Sequence, residues 1–91
     1  MISVNITEKE SAQVEYLFYE YQAILNIIQE LIQRGVSEDK LGFMLEESKN
    51  KNIELEKNKK LISDLYNPFN DKEAYNYTFN FSNQTIEYEK L

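Results

Sequence analysis

Ile32-Gln33-Arg34-Gly35-Val36-Ser37-Glu38-Asp39 is the stretch on which the fold turns. Gly35 fits the left-handed C′ position that ends a helix. Ser37 follows as a ready N-cap, and Glu38 and Asp39 complement the dipole of the helix it opens. So short a break between two helices makes them an antiparallel hairpin.

Working backwards, Val14, Leu17, Phe18, Tyr21, Ile24, Leu25, Ile28, Leu31 and Ile32 recur at i, i+3, i+4 with no Pro or Gly among them. The spacing predicts a helix over 8–34, about 40 Å long. Thr7-Glu8-Lys9-Glu10 reads as its capping box. Working forwards, Leu41, Met44, Leu45, Leu55, Ile62, Leu65 and Tyr66 mark a second helix over 38–66, stopped by Asn67-Pro68. Its stripe has a polar gap at Ser48, Asn52 and Lys59, where Glu47–Lys51 and Glu56–Lys60 are expected to pair at i, i+4. Counting from the turn, Leu41 faces Leu31, Leu45 faces Ile28, Ser48 faces Ile24 and Leu25, Asn52 sits near Tyr21, and Leu55 near Leu17 and Phe18.

The ends of the chain have a different period. Ile2, Val4 and Ile6 alternate with polar residues, which predicts a strand over 2–6. Phe69–Glu73 reads as a loop. Tyr75, Tyr77, Phe79 and Phe81 then alternate with Asn76, Thr78 and Asn80, and Ser82-Asn83-Gln84 has turn chemistry before a second alternating run. This is a β-hairpin over 75–89. A lone hairpin is marginal in water, so the N-terminal strand is expected to join it. The expected fold is therefore one α+β domain over 1–91: a long antiparallel helical hairpin with a small antiparallel sheet, order β-α-α-β-β.

Composition narrows the function classes. The 91 residues include no His and no Cys. The usual zinc and iron ligands, nucleophile–base pairs and redox motifs are all missing. Hydrophobic content of 42% and charged content of 29% suit a packed domain rather than a disordered chain. The net charge of −6 disfavours direct binding to nucleic acid. It is uneven: residues 1–48 carry −6, residues 49–60 carry +3 and residues 61–91 carry −3. The N-terminus lacks a signal-peptide pattern and no apolar run approaches a membrane span, so a cytoplasmic protein without membrane contact is expected. Asn, Lys, Ile, Glu and Tyr, which have A/T-rich codons, are abundant and Ala is scarce, which points to an A/T-rich bacterial or phage genome.

Four features of the sequence bear on function. The carboxylates Glu8, Glu10, Glu15, Glu20, Glu30, Glu46, Glu47, Asp71 and Glu73 are numerous. Acid–base work needs a pocket that separates their pKa values, and so small a fold has little room for one. With only Gly35 and Gly42, there is no phosphate loop. No enzyme activity, cofactor or metal is expected. The aromatic hairpin lacks the interleaved Arg and Lys of a stacking platform and reads as a packed sheet face. The basic segment Lys49–Lys60 is mixed with Glu54 and Glu56 and reads as a solvated helix face.

The fourth feature is a second apolar stripe on the first helix. Tyr16, Tyr19, Ala23 and Ile27 lie opposite the main one. A helix apolar on two sides is buried on two sides. The β-sheet is the simpler cover, and a second protein chain is the other. A 40 Å helix also outruns a three-stranded sheet about 15 Å wide, so apolar surface around Ile27 and the Val36–Phe43 turn should stay open. Tyr16, Tyr19, Ala23, Ile27 and Phe43 are therefore the expected partner-binding residues. They imply a non-enzymatic protein–protein interaction module, a homodimer or small accessory subunit of a larger bacterial or phage assembly. The alternative is a small acidic inhibitor that blocks a nucleic-acid-binding enzyme by charge mimicry, using Glu8, Glu15, Glu20 and Glu30 as a phosphate-like track.

Overall fold

A computed structural model describes residues 1–70 and 73–91. Five elements run in the order β1 (Ile2–Asn5), α1 (Glu8–Gln33), α2 (Glu38–Leu65), β2 (Tyr75–Asn80) and β3 (Thr85–Lys90). Each boundary is within one residue of the sequence expectation. The loop expected at Phe69–Glu73 lies partly outside the described residues, at Asp71 and Lys72, and so does the Asp71 carboxylate.

The turn of the helical hairpin follows from the backbone of Gly35. Its φ of +84° is left-handed. That conformation lets the Gly35 N–H donate to the Ile32 carbonyl at 3.0 Å and the Val36 N–H to the Leu31 carbonyl at 3.1 Å. Two carbonyls that the end of α1 would otherwise strand are satisfied in this way. Ser37 occupies the extended N-cap position of α2, but its hydroxyl makes no capping bond. At the far end of α1 the capping box is complete. The Thr7 hydroxyl accepts from the Glu10 N–H at 3.1 Å, and Glu10 Oε1 accepts from the Thr7 N–H at 3.0 Å.

A paired prediction separates backbone strain from packing. A Cβ at Gly35 or at Gly42 would meet nothing within 4 Å, so only conformation distinguishes the two sites. Gly35→Ala should cost about 1 kcal/mol, because an L-residue is strained at positive φ. Gly42→Ala should add up to about 1 kcal/mol, because it lies inside a helix. Chemical denaturation measures both, and equal signs would refute the argument.

The sheet has the order β1-β3-β2, antiparallel throughout. The N-terminal strand thus pairs within its own chain, with Ile2 opposite Tyr88 and Val4 opposite Ile86. The inner face carries Val4, Ile86, Tyr88, Tyr75, Tyr77 and Phe79, and the outer face carries Asn76, Thr78, Glu87 and Glu89. The sheet closes over the groove between the helices at the end away from the turn. One core joins Ile6, Val14, Leu17, Leu55, Ile62, Ile86 and Tyr88, with Tyr66, Phe69 and Phe81 packed against it. Near the turn, Ile28 and Leu41 are buried outside that core.

Several stripe residues are not in the core. Phe18, Ile32, Leu45 and Leu65 are exposed. For Ile32 and Leu45 the reason is that the sheet stops short of the turn. Leu65 points away from the core: at 100° per residue it lies about 160° round α2 from Ser63, which is fully buried. The polar gap is real but resolves locally. The buried Ser48 hydroxyl donates to the Leu45 carbonyl at 2.7 Å. Among the described residues, no hydrogen bond joins Asn52 to Tyr21.

Candidate interaction surface

The groove between α1 and α2 is filled by the sheet at one end and by Ile28 and Leu41 at the other. What remains is the flat face of the hairpin away from the sheet. At 100° per residue, Tyr16, Tyr19, Ala23 and Ile27 lie about 140–180° round α1 from Val14, a core residue. The sheet therefore does not cover the second stripe. It sits on the same side as Val14, where the Tyr88 hydroxyl reaches the Ser63 carbonyl. Tyr16 is 65% exposed, Tyr19 59% and Ile27 47%. Ala23 is exposed as well.

The second helix adds to this face. Phe43, Leu61 and Leu65 lie about 160° round α2 from Ser63, the residue that Tyr88 abuts. Phe43 is 81% exposed, Leu61 62% and Leu65 72%. Phe43 was expected at this surface, and Leu61 and Leu65 were not. Leu61 was assigned to no stripe, although its spacing of 18 residues from Phe43, five helical turns, is a legible signal. Across the turn, Phe43 counts opposite about residue 29, about half a turn from Ile27. The five expected residues thus fall on one side of the molecule. A face two helices wide and about 40 Å long measures about 800 Å². That matches one partner's share of a standard-size protein interface.

The charged features look different. Of the proposed carboxylate track, Glu20 pairs with Lys51 at 3.4 Å and Glu30 with Arg34 at 2.7 Å. Lys51 chooses Glu20, across the hairpin, and Glu54 at 3.9 Å rather than the expected Glu47. Its half-buried position in the groove brings the opposite helix closer than its own neighbour, and the Glu20 contact raises its pKa. Lys60 pairs with Asp64 at 3.4 Å, and Glu56 turns to Lys59 at 3.4 Å. Three of the five lysines in 49–60 are therefore partly neutralised. Exposed pairs of this kind contribute little stability each.

Comparison with known proteins found no matching family model, curated protein or solved structure. No helix among the described residues is long and apolar enough to cross a membrane.

Among the described residues, the Glu10 carboxylate gathers bonds from the Thr7 N–H, the Thr7 hydroxyl and the Tyr66 hydroxyl. Glu10 caps α1 and also accepts from the Tyr66 hydroxyl at the end of α2. The Tyr66 bond, then the Thr7 N–H, hold its carboxyl below the usual range. The Tyr75 hydroxyl donates to Asp64 at 2.7 Å and lowers that carboxyl too, with Lys60 adding to it. Lys90 does the same for Glu73. These carboxyls bind protons more weakly folded than unfolded. Their stabilisation is therefore complete above the unfolded value of about 4 and fades as pH falls through the depressed folded values. The thermal midpoint should be flat from pH 7 to pH 5 and fall below about pH 4. Tyr66→Phe with Tyr75→Phe should flatten that fall, and an unchanged acid slope in the double variant would contradict the assignment.

Two open depressions, of about 580 and about 300 Å³, flank β2. The larger is lined by Lys60, Asp64, Asn67, Glu73, Ala74, Tyr75 and Tyr77. Its described charged groups, Lys60, Asp64 and Glu73, are each paired.

Proposed function

We propose that this chain is a non-enzymatic protein–protein interaction module. It acts as a homodimer, or as a small accessory subunit of a larger bacterial or phage assembly, through the hairpin face away from the sheet. The observation that carries this reading is the uncovered apolar band: Tyr16, Tyr19, Ala23 and Ile27 on α1 with Phe43 on α2. Water-exposed rings on one flat face are the composition of an interface core, where aromatic anchors contribute most of the binding energy. The face on which they lie has the size of one partner's share of a standard interface. Two such faces placed together form a four-helix arrangement with a sheet on each outer side.

The test is the mass in solution by light scattering, across concentration and at low and high salt. A dimer that persists in high salt is expected, since burial of apolar surface is not screened. A mass that falls steeply as salt rises would assign the association to charge and refute the apolar-face reading.

A further inference from the structure

The free edge of β2 carries information that the hairpin face does not use. The Leu91 N–H donates to the Ala74 carbonyl at 3.1 Å. That pair belongs to the same register as Tyr75 opposite Lys90 and Asn80 opposite Thr85. In an antiparallel ladder, hydrogen-bonded pairs alternate with non-bonded ones. Ala74, Asn76, Thr78 and Asn80 therefore turn their main-chain groups towards β3. Tyr75, Tyr77 and Phe79 turn theirs outwards, where the described residues offer no strand to meet them.

Natural edge strands are blunted by charge, Pro, bulges or short length. β2 has none of these. It is six residues long, its register is unbroken, and no charged residue occurs from Ala74 to Ile86. The other edge, β1, is only four residues long. In a chain that is 29% charged, a bare neutral edge of this kind is a pairing template.

We infer that β2 pairs with β2 of a second copy, antiparallel about a two-fold axis near Tyr77 or Thr78. The strand is self-complementary in three ways. In either register odd residues meet odd residues, so every outward N–H faces an outward carbonyl. The same parity keeps the aromatic side chains of both copies on one side of the joined sheet. Tyr77 then meets Phe79 or Tyr77 of the other copy, which is a favourable cross-strand aromatic pair. The strand is also neutral, so the axis brings together no like charges although the chain carries −6. The 300 Å³ depression beside the edge, between Tyr77 and Phe79 and the helix residues Val14, Phe18 and Leu55, is open to the partner's rings. The product is a continuous six-stranded sheet. This contact is independent of the hairpin face, and a chain using both would join more than one other copy.

The test uses the full chain with Tyr16→Ser and Ile27→Ser, which removes the hairpin face, so that the edge is read alone. Light scattering should still show two chains at high concentration. Hydrogen exchange should show the Asn76 and Thr78 amides protected at every concentration. The Tyr75, Tyr77 and Phe79 amides should gain protection only as the dimer forms. Adding Asn76→Lys and Thr78→Lys sets lysines opposite each other in both registers, on the solvent face and away from the core. The dimer should weaken about tenfold and the odd-residue protection should fall with it. The inference is overturned if the face-deleted chain stays monomeric up to about 1 mM. It is equally overturned if the odd amides remain open in the dimer, or if the lysine variant dimerises undiminished. Loss of the face with retention of the edge, or the reverse, tells the two contacts apart.

Discussion

Tyr88→Ala should remove about 3–5 kcal/mol of stability, the largest loss expected from any single substitution in this chain. Small domains have about 5–15 kcal/mol in total, so this one change removes a large share of it. Three roles meet at this side chain. It is fully buried on β3, the central strand, between Ile2 of β1 and Tyr77 of β2. Its ring stands edge-on to Phe69 at 6.3 Å and to Tyr75 at 5.4 Å, which is the attractive geometry for aromatic pairs. Its hydroxyl donates to the Ser63 carbonyl at 2.6 Å. That carbonyl is among the last of α2 and would otherwise lack a donor. Burial accordingly pushes the Tyr88 phenol well above its ordinary pKa.

The contributions separate by substitution. Tyr88→Phe keeps the ring and loses only the hydroxyl bond, for about 1 kcal/mol, or about 4–8 °C in the thermal midpoint. Tyr88→Ala loses the ring and leaves a cavity against Ser63, whose small side chain, also fully buried, is what admits the tyrosine so close to α2. Urea unfolding followed by circular dichroism gives both values. A cost below about 1.5 kcal/mol for Tyr88→Ala would mean that the helical hairpin stands without its sheet.

The second large effect is on association. Tyr16→Ser with Ile27→Ser should raise the dimer dissociation constant of the hairpin face about 100-fold or more, with little change in monomer stability. Each removed side chain is a candidate anchor worth about 2 kcal/mol when desolvated. A two-fold axis places both residues of both copies in the same contact. Stability should hold because the two side chains are already largely exposed in the monomer, and exposed substitutions usually shift it by less than about 0.5 kcal/mol. Glu15→Gln with Glu20→Gln and Glu30→Gln is the control. It changes charge while keeping every apolar side chain of the band, so the dimer should survive it. Sedimentation of the three proteins decides the matter: a dimer lost in the Gln variant and kept in the Ser variant would reverse the assignment.

Sequence legibility tracked how local each interaction is. The capping box at Thr7 and Glu10, the Gly35 turn and the alternation of Tyr75 to Phe81 are contacts within a few residues, and they appear where the pattern puts them. The ion pairs did not follow the pattern. Lys51 pairs with Glu20 because two helices meet, and no i, i+4 count contains that information. Phe69 read as loop, yet it packs on the core beside Tyr88. An aromatic side chain directly after Pro68 was the available hint. Leu65 read as core and is exposed, because it lies on the side of α2 away from Ser63, a position that an i+3 step from Ile62 does not exclude.

The same division holds for the molecule as a whole. The residues alone determined two long helices, the hairpin between them, three short strands and their order along the chain, because periodicity and capping act over one or two turns. Only the tertiary structure decided which side of the hairpin the sheet would cover. Both faces of α1 are apolar, so the pattern left two solutions open. Packing resolved it: the sheet lies on the side of Val14 and Ser63, where Tyr88 is fully buried and its hydroxyl meets a carbonyl at the end of α2. The uncovered stripe of Tyr16, Tyr19, Ala23 and Ile27 is the consequence.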